Sequence, residues 1–301
     1  MDRIAVIGMG ALGILYGSML TKAYGNEKVG FIMDGARWAR YEAEPVTANG
    51  CPCGFGRARA DRKADMVLFA VKATGLERAM EDAAPFIGAD TVLLSVLNGI
   101  TSEKLLEERF GARNVVYCVA QGMDAVKSGS KLTYTKRGQL VIGIPKDAPE
   151  KQPALEKARA VLDGAQVPYT VDDDIRHRLW SKFMLNVGVN QVVMAEEGTY
   201  GTIQRPGAAR DRMCAAMREV IAVADAEGIG VTEADLKFYV DLVDTLSPDG
   251  MPSMRQDGLA KRPSEVELFS GTVLAYGRKH GIDTPVNRAL YEQVKKMEAA
   301  Y

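Results

Sequence analysis

Three glycines, set between a short apolar run and an apolar helical pattern, constrain this chain more than any other feature. Ile4-Ala5-Val6-Ile7 is continuously hydrophobic and rich in β-branched residues, which reads as a buried strand. Gly8, Met9, Gly10, Ala11, Leu12 and Gly13 then complete G-x-G-x-x-G, and Leu12, Ile14 and Leu15 open a helix. In that setting Gly8 permits the tight turn and Gly10 lets a pyrophosphate approach the backbone. Gly13 lets helix and strand pack closely. The free N–H groups at the helix start favour an anion. The glycine spacing alone is a weak signal, but the strand before it and the helix after it make a dinucleotide site the expectation.

The next segments repeat the strand–helix alternation. The first helix runs to about Tyr24 and closes on Gly25-Asn26, and Val29–Met33 form a second strand. Asp34 follows, 21 residues beyond Gly13. There it either accepts from the ribose hydroxyls of a bound dinucleotide or simply forms a turn with Gly35. Arg37 and Arg40 lie just beyond on a predicted helix and suit a 2′-phosphate, so the two signals point to different cofactors. Met66–Val71 is a further buried strand that delivers Lys72 to its carboxyl end, either into a ligand crevice or into solvent. Thr91–Leu97 leads to Asn98-Gly99, read as a strand–helix turn because Glu103–Phe110 is helical in pattern. Val115–Val119 is another strand. Lys131–Thr135 and Gln139–Gly143 are expected to pair antiparallel with each other around Lys136-Arg137-Gly138. A helix over Pro149–Ala165 and a strand over Val167–Val171 complete an α/β, doubly wound, Rossmann-like domain spanning residues 1–172.

At Asp172-Asp173-Asp174 the pattern changes, and residues 173–301 read as an all-α domain. Its first helix, Ile175–Val193, carries Lys182, Asn186 and Asn190 at i, i+4 and i+8. That spacing aligns an ammonium and two amides on one face of a helix whose other positions are mostly apolar. Solvated faces usually carry Glu and Lys instead, and buried amides need partners, so a ligand with hydroxyl and carboxylate groups suits them. Ser264 and Glu267 have the spacing of a capping box that opens a helix. Glu265 is then either a helix-start acid or a carboxylate that holds Lys182. His177 and His280 lack triad context, and His280-Gly281 reads as a helix C-terminus.

Bulk properties narrow the classes. Lys and Arg number 38 against 39 Asp and Glu, so no basic field favours nucleic acid or an anionic membrane. Apolar runs such as Val92–Leu97 are too short to span a bilayer. A strand opens almost at the first residue, so no signal peptide is expected, and a cytoplasmic enzyme is. The four cysteines are too scattered for a disulfide framework, and Cys51-Pro52-Cys53 sits in a turn-like setting, so no metal site is expected.

These motifs together resemble the ketopantoate reductase (2-dehydropantoate 2-reductase) family over essentially the whole chain. They are Gly8–Gly13, Val71-Lys72, Asn98-Gly99, Trp180-Ser181-Lys182 with Asn186 and Asn190, Ser253–Asp257, Arg262–Glu265 and His280–Asn287. The resemblance implies that Lys182 is the general acid and that Glu265 contacts cofactor and orients the site. It places Asn98 at the nicotinamide–substrate junction and Lys72 near cofactor and substrate. Asn186, Asn190 and Ser253 would hold the substrate, a small 2-keto acid. NADP(H) is implied, while Asp34, standing where the family's NADP-dependent members carry an arginine, keeps NAD(H) open. A homodimer is compatible with this reading. The expected reaction is reduction of 2-dehydropantoate to pantoate on the route to coenzyme A. Gln191–Tyr200 lacks the family's usual Pro-Leu-Thr continuation. Reduction of another branched or aromatic 2-keto acid therefore remains an alternative, as does dinucleotide sensing without turnover.

Overall fold

The computed structural model describes residues 3–301, which divide into two compact units, one ending at Ile175 and one beginning at Arg176. In the first unit, strand β1 (Ile4–Ile7), helix α1 (Ala11–Tyr24), β2 (Val29–Ile32) and α2 (Gly35–Ala43) follow in order. Three short strands come next: β3 (Thr47–Ala48), β4 (Cys51–Pro52) and β5 (Gly56–Arg57). Then come β6 (Met66–Phe69), α3 (Leu76–Ala83), β7 (Val92–Ser95), α4 (Ser102–Phe110) and β8 (Val115–Met123). The unit closes with β9 (Val126–Ser128), β10 (Lys131–Thr133), β11 (Arg137–Gly143), α5 (Gln152–Gly164) and β12 (Tyr169–Val171).

Eight strands make one sheet in the order β12-β11-β8-β7-β6-β1-β2-β5. Strands β1, β2, β6 and β7 are parallel and buried along their whole length. Both faces are covered, which is why these strands are apolar at every position rather than at alternate ones. One face carries Val6, Phe31, Leu68 and Leu94 against Ile14 and Leu15 of α1 and Leu155 and Val161 of α5. The Tyr24 hydroxyl donates to the Val161 carbonyl at 2.9 Å and ties those two helices. Helix α4 packs on β7 and β8. β1 has β6 on one side and β2 on the other, the strand-order reversal beside which α/β sheets bind ligands at their carboxyl edge.

The antiparallel end differs from the sequence expectation. β11 pairs with β8, not with Lys131–Thr133. β10 instead forms a hairpin with β9, a strand the sequence pattern did not reveal, and joins β3 and β4 in a separate four-stranded sheet. Proximity in sequence favoured the 131–143 pairing, but β8 runs on to Met123 and offers β11 a longer apolar edge. Asn49 and Gly50, both at positive φ, make the two-residue turn between β3 and β4.

The second unit is helical, with no strand among the described residues. Helix α6 (Ile175–Ala195) is followed by α7 (Tyr200–Gln204), α8 (Ala208–Ala226), α9 (Glu233–Asp244) and α10 (Ser253–Leu259). Then come a π turn over Glu267–Gly271, α11 (Thr272–His280) and α12 (Pro285–Glu298). Helix α8 is the centre, burying Met213, Ala216, Met217, Val220, Val223 and Ala224. A Cβ on Gly188 would lie 2.5 Å from the Met217 side chain, so glycine there sets the close approach of α6 to α8.

The capping box expected at Ser264 and Glu267 does not form. The Ser264 N–H donates to Glu298 of α12 at 2.7 Å, and Glu267 accepts from the Tyr291 hydroxyl and pairs with Lys295. Helix α12 has taken the Ser264 N–H and the Glu267 carboxylate, the Ser264 hydroxyl accepts from the Val266 N–H at 3.3 Å, and the chain enters α11 through the π turn instead. Glu265 accordingly lies in the bend before that turn, not at a helical first position.

Candidate active site

The glycine turn is built as its sequence requires. Gly8 has φ of +103°, and a Cβ there would lie 2.5 Å from the Ala70 carbonyl beyond β6. A Cβ on Gly13 would lie 1.9 Å from the Gly8 carbonyl oxygen. Both are fixed by contacts inside the fold. Gly10 is different, because its added Cβ would come no closer than 3.6 Å, to the Ala70 carbonyl oxygen. Gly10 is also the N-cap of α1, with no side-chain cap and no acid in the first turn. The space over Gly10 and the uncapped N–H groups form a cradle for a pyrophosphate, which is the fit a dinucleotide needs.

Lys72 and Asn98 follow β6 and β7, so they come off the same carboxyl edge as Gly8. Lys72 is exposed and Asn98 half-buried, and Gly99 turns the chain with φ of +91°.

Beside Gly8 and Met9 lies a cavity of about 300 Å³, lined on its outer side by Met33, Arg37, Arg40, Tyr41, Lys127 and Ser130. Asp34 is turned to another task. It is the N-cap of α2, accepting from the Arg37 N–H at 2.7 Å and pairing with the Arg37 guanidinium at 3.4 Å. That N–H bond, aided by the nearby arginines, holds its carboxyl below the usual carboxylate range. Lys127 and Ser130 belong to the β9–β10 hairpin and were not singled out from sequence. Ser130 donates to Glu44 at 2.7 Å, which fastens the hairpin beside the end of α2.

In the second unit, Lys182, Asn186 and Asn190 lie along one face of α6. Lys182 is half-buried and both asparagines are 8% exposed. The Asn186 Nδ2 is buried and has no hydrogen-bond partner. Trp180 and Phe183 flank Lys182. Phe183 meets Phe269 of the π turn at 6.4 Å between centroids, and Trp180 meets Tyr276 of α11 at 5.2 Å. These rings bind α6 to the segment that Glu265 leads into, where the Glu265 carbonyl accepts from the Phe269 N–H at 3.0 Å. Glu265 is half-buried, whereas Ser253 is exposed at the first turn of α10.

Gln191, one residue past the stripe, is fully enclosed. Its amide donates to the Val187 carbonyl at 2.9 Å and to Asn287 at 3.3 Å, and accepts from the Ser270 N–H at 3.1 Å. Asn287 in turn donates to Glu219 at 2.7 Å. This network locks α6, the π turn, α8 and α12 together.

No group of metal-ligating side chains is gathered among the described residues, and no helix there is long and apolar enough to cross a membrane. Comparison with known proteins agrees with the architecture. A 2-dehydropantoate 2-reductase of Vibrio cholerae is 28% identical, with 99% of each chain covered. The crystal structure of 2-dehydropantoate 2-reductase from Geobacter metallireducens GS-15 is 27% identical, covers 98% of this chain and 99% of that one, and superposes with a TM-score of 0.84. D-mandelate dehydrogenase, solved with NADH and anilino(oxo)acetate, is 22% identical with a TM-score of 0.87, covers 99% of this chain and 98% of its own, and shares the fold. Residues 4–147 match the family model described as ketopantoate reductase PanE/ApbA, and residues 174–298 match the model of its C-terminal domain. The chain belongs to the ketopantoate reductase family of NAD(P)-dependent oxidoreductases.

Proposed function

We propose that this protein reduces 2-dehydropantoate to pantoate with NADPH. The observation that carries the reading is the Asn186 amide, buried without a partner one helical turn from an ammonium. A buried N–H group left unmade costs about 1–3 kcal/mol, so its retention calls for a ligand that accepts from it. A 2-keto acid bearing a hydroxyl provides such acceptors.

When bound, the nicotinamide supplies hydride to the carbonyl carbon. Lys182 donates a proton to the carbonyl oxygen as negative charge develops there, and its ammonium stabilises that charge. Asn186, Asn190 and Ser253 hold the hydroxyl and carboxylate of the substrate, and the Glu265 carboxylate orients Lys182. In the first unit, residues 8–13 receive the pyrophosphate, and the roles of Lys72 and Asn98 are to serve the nicotinamide half and the substrate. The choice of NADPH rests on the outer cavity. Asp34 caps α2 and is not among the residues lining it, whereas Arg40 and Lys127 are. A 2′-phosphate would meet cations there rather than a carboxylate.

The test is oxidation of NADPH and of NADH with ketopantoate and with aromatic and other branched 2-keto acids. We expect kcat/KM to be highest with ketopantoate and at least tenfold higher with NADPH. A preference for an aromatic acid would replace the substrate, and a preference for NADH would overturn the cofactor assignment. No oxidation with any 2-keto acid would leave only a dinucleotide-binding role.

A further inference from the structure

A buried polar chain lies behind the turn that carries Asn98. Ser95, Ser102 and Glu103 are all within 2% of complete burial. The Leu97 N–H donates to the Ser95 hydroxyl at 3.3 Å, and Ser95 donates to the Ser102 hydroxyl at 2.8 Å. Ser102 donates to Glu103 Oε2 at 2.9 Å. Every donation runs the same way and ends on a carboxylate. A one-directional chain of this kind polarises each link, and its terminal acceptor fixes the direction. The two hydroxyls also staple the ends of the segment from the last residue of β7 to the first of α4, with Asn98 between them.

We infer that Glu103 is a positioning residue, holding the Leu97–Thr101 turn, and with it Asn98, through Ser102 and Ser95. The inference rests on the proposed role of Asn98. A carboxylate at the first turn of a helix is ordinarily explained by the helix dipole and solvent. Glu103 is enclosed, its Oε1 has no hydrogen-bond partner, and its one side-chain donor is Ser102. It therefore carries a desolvation cost that a dipole-serving acid on the surface would not.

Burial pushes the Glu103 carboxyl up to about 7. The Ser102 hydroxyl and the N–H groups of Glu103 and Cys118 oppose the rise, and Glu107 on the next turn of α4 adds to it. Glu107 is itself paired with Lys151. The charged carboxylate is the stronger acceptor, so Ser102 is held more firmly above neutral pH than below it. With Oε1 open, a proton can sit there without displacing Ser102 from Oε2.

Hydrogen–deuterium exchange over residues 96–101, corrected for intrinsic rates, tests this in the intact protein, alongside kcat and KM from pH 6 to 9. Glu103→Ala and, as a milder variant, Ser102→Ala should speed exchange there about tenfold while leaving the Gly8–Gly13 turn unchanged. kcat should fall about tenfold with little change in cofactor KM. Glu103→Gln keeps an acceptor, so it should restore protection and kcat to within about threefold and remove the inflection near pH 7. Unchanged exchange in both Glu103→Ala and Ser102→Ala would overturn the inference, as would a wild-type pH profile in Glu103→Gln. Asn98→Ala is the control on the underlying reading. If it left kcat/KM intact, the role of Asn98 would fall, whereas the exchange result would still judge the polar chain.

Discussion

Asn186 and Gln191 lie five residues apart on one helix, both are buried amides, and they are treated in opposite ways. Gln191 has its bonding met inside the fold, by Val187, Ser270 and Asn287. Asn186 Nδ2 has nothing. The same contrast divides the glycines of the first unit: Gly8 and Gly13 answer to the packing of strand and helix, while Gly10 has room for a Cβ, 3.6 Å from the Ala70 carbonyl oxygen. It recurs around α2, where Asp34 is occupied by the helix it caps and Arg40 faces a cavity. In each pair, one residue is needed by the fold and its neighbour is left for something else. On the proposed function, that separation distinguishes site residues from scaffold, and it can be attacked directly.

The largest effect should come from Lys182→Ala. Removing a positioned proton donor typically costs about 10²–10⁴-fold in rate. kcat should fall by that factor with NADPH affinity, measured by fluorescence, nearly unchanged. A variant that turned over at the wild-type rate would show that the stripe on α6 is a polar face without chemistry.

The two amides come next and should respond oppositely. Gln191→Leu strands the Ser270 N–H in a closed interior, and each such group costs about 1–3 kcal/mol. Its melting temperature should drop, with the KM of whatever folds unaltered. Asn186→Leu deletes an amide that had no partner to lose, so stability should hold or rise while the KM for the keto acid increases at least tenfold. If Asn186→Leu were the destabilised one, the amide would be structural and the contrast on α6 would disappear.

The glycine pair repeats the experiment in the first unit. Gly13→Ala drives a methyl into the Gly8 carbonyl and should lower both melting temperature and cofactor affinity. Gly10→Ala has room for its methyl in the free protein, so it should fold with an unchanged melting temperature and still bind NADPH weakly, since the pyrophosphate needs that space. Equal melting losses in both variants would mean that Gly10 also serves the fold.

These contrasts explain what was legible in the sequence. The glycine turn and the parallel strands declare themselves because their requirements are local: a positive φ at Gly8, or burial on both faces of a four-residue strand. The α6 stripe is legible for the same reason, since i, i+4, i+8 is a property of one helix. What could not be read was settled by distant chain. β11 found β8 rather than its nearer neighbour, and Glu298 displaced Glu267 at the Ser264 N–H from 34 residues away. Asp34 left two readings open, ribose acceptor or turn aspartate, because sequence shows position after a strand but not the direction of a side chain. Glu103 looked like any helix-start acid because nothing in Ser102-Glu103-Lys104 announces that its first two residues are enclosed.

The smallest effect, and the finest test of the contrast, is at the outer cavity. Arg40 lines it, as does Lys127 from the hairpin, while Asp34 accepts from the Arg37 N–H. If these cations hold a 2′-phosphate, Arg40→Ala should raise the Kd for NADPH roughly tenfold, the scale of one charge-assisted hydrogen bond, and leave that for NADH alone. Lys127→Ala should behave similarly, and each should reduce the salt dependence of NADPH binding, because an exposed ion pair is screened within about 10 Å at 0.1 M salt. Asp34→Ala should lower the melting temperature through loss of the α2 cap without changing the ratio of the two affinities. A shift toward NADPH in Asp34→Ala would show the opposite: the carboxylate reaches the ribose when the site is filled, and capping α2 is only its resting task.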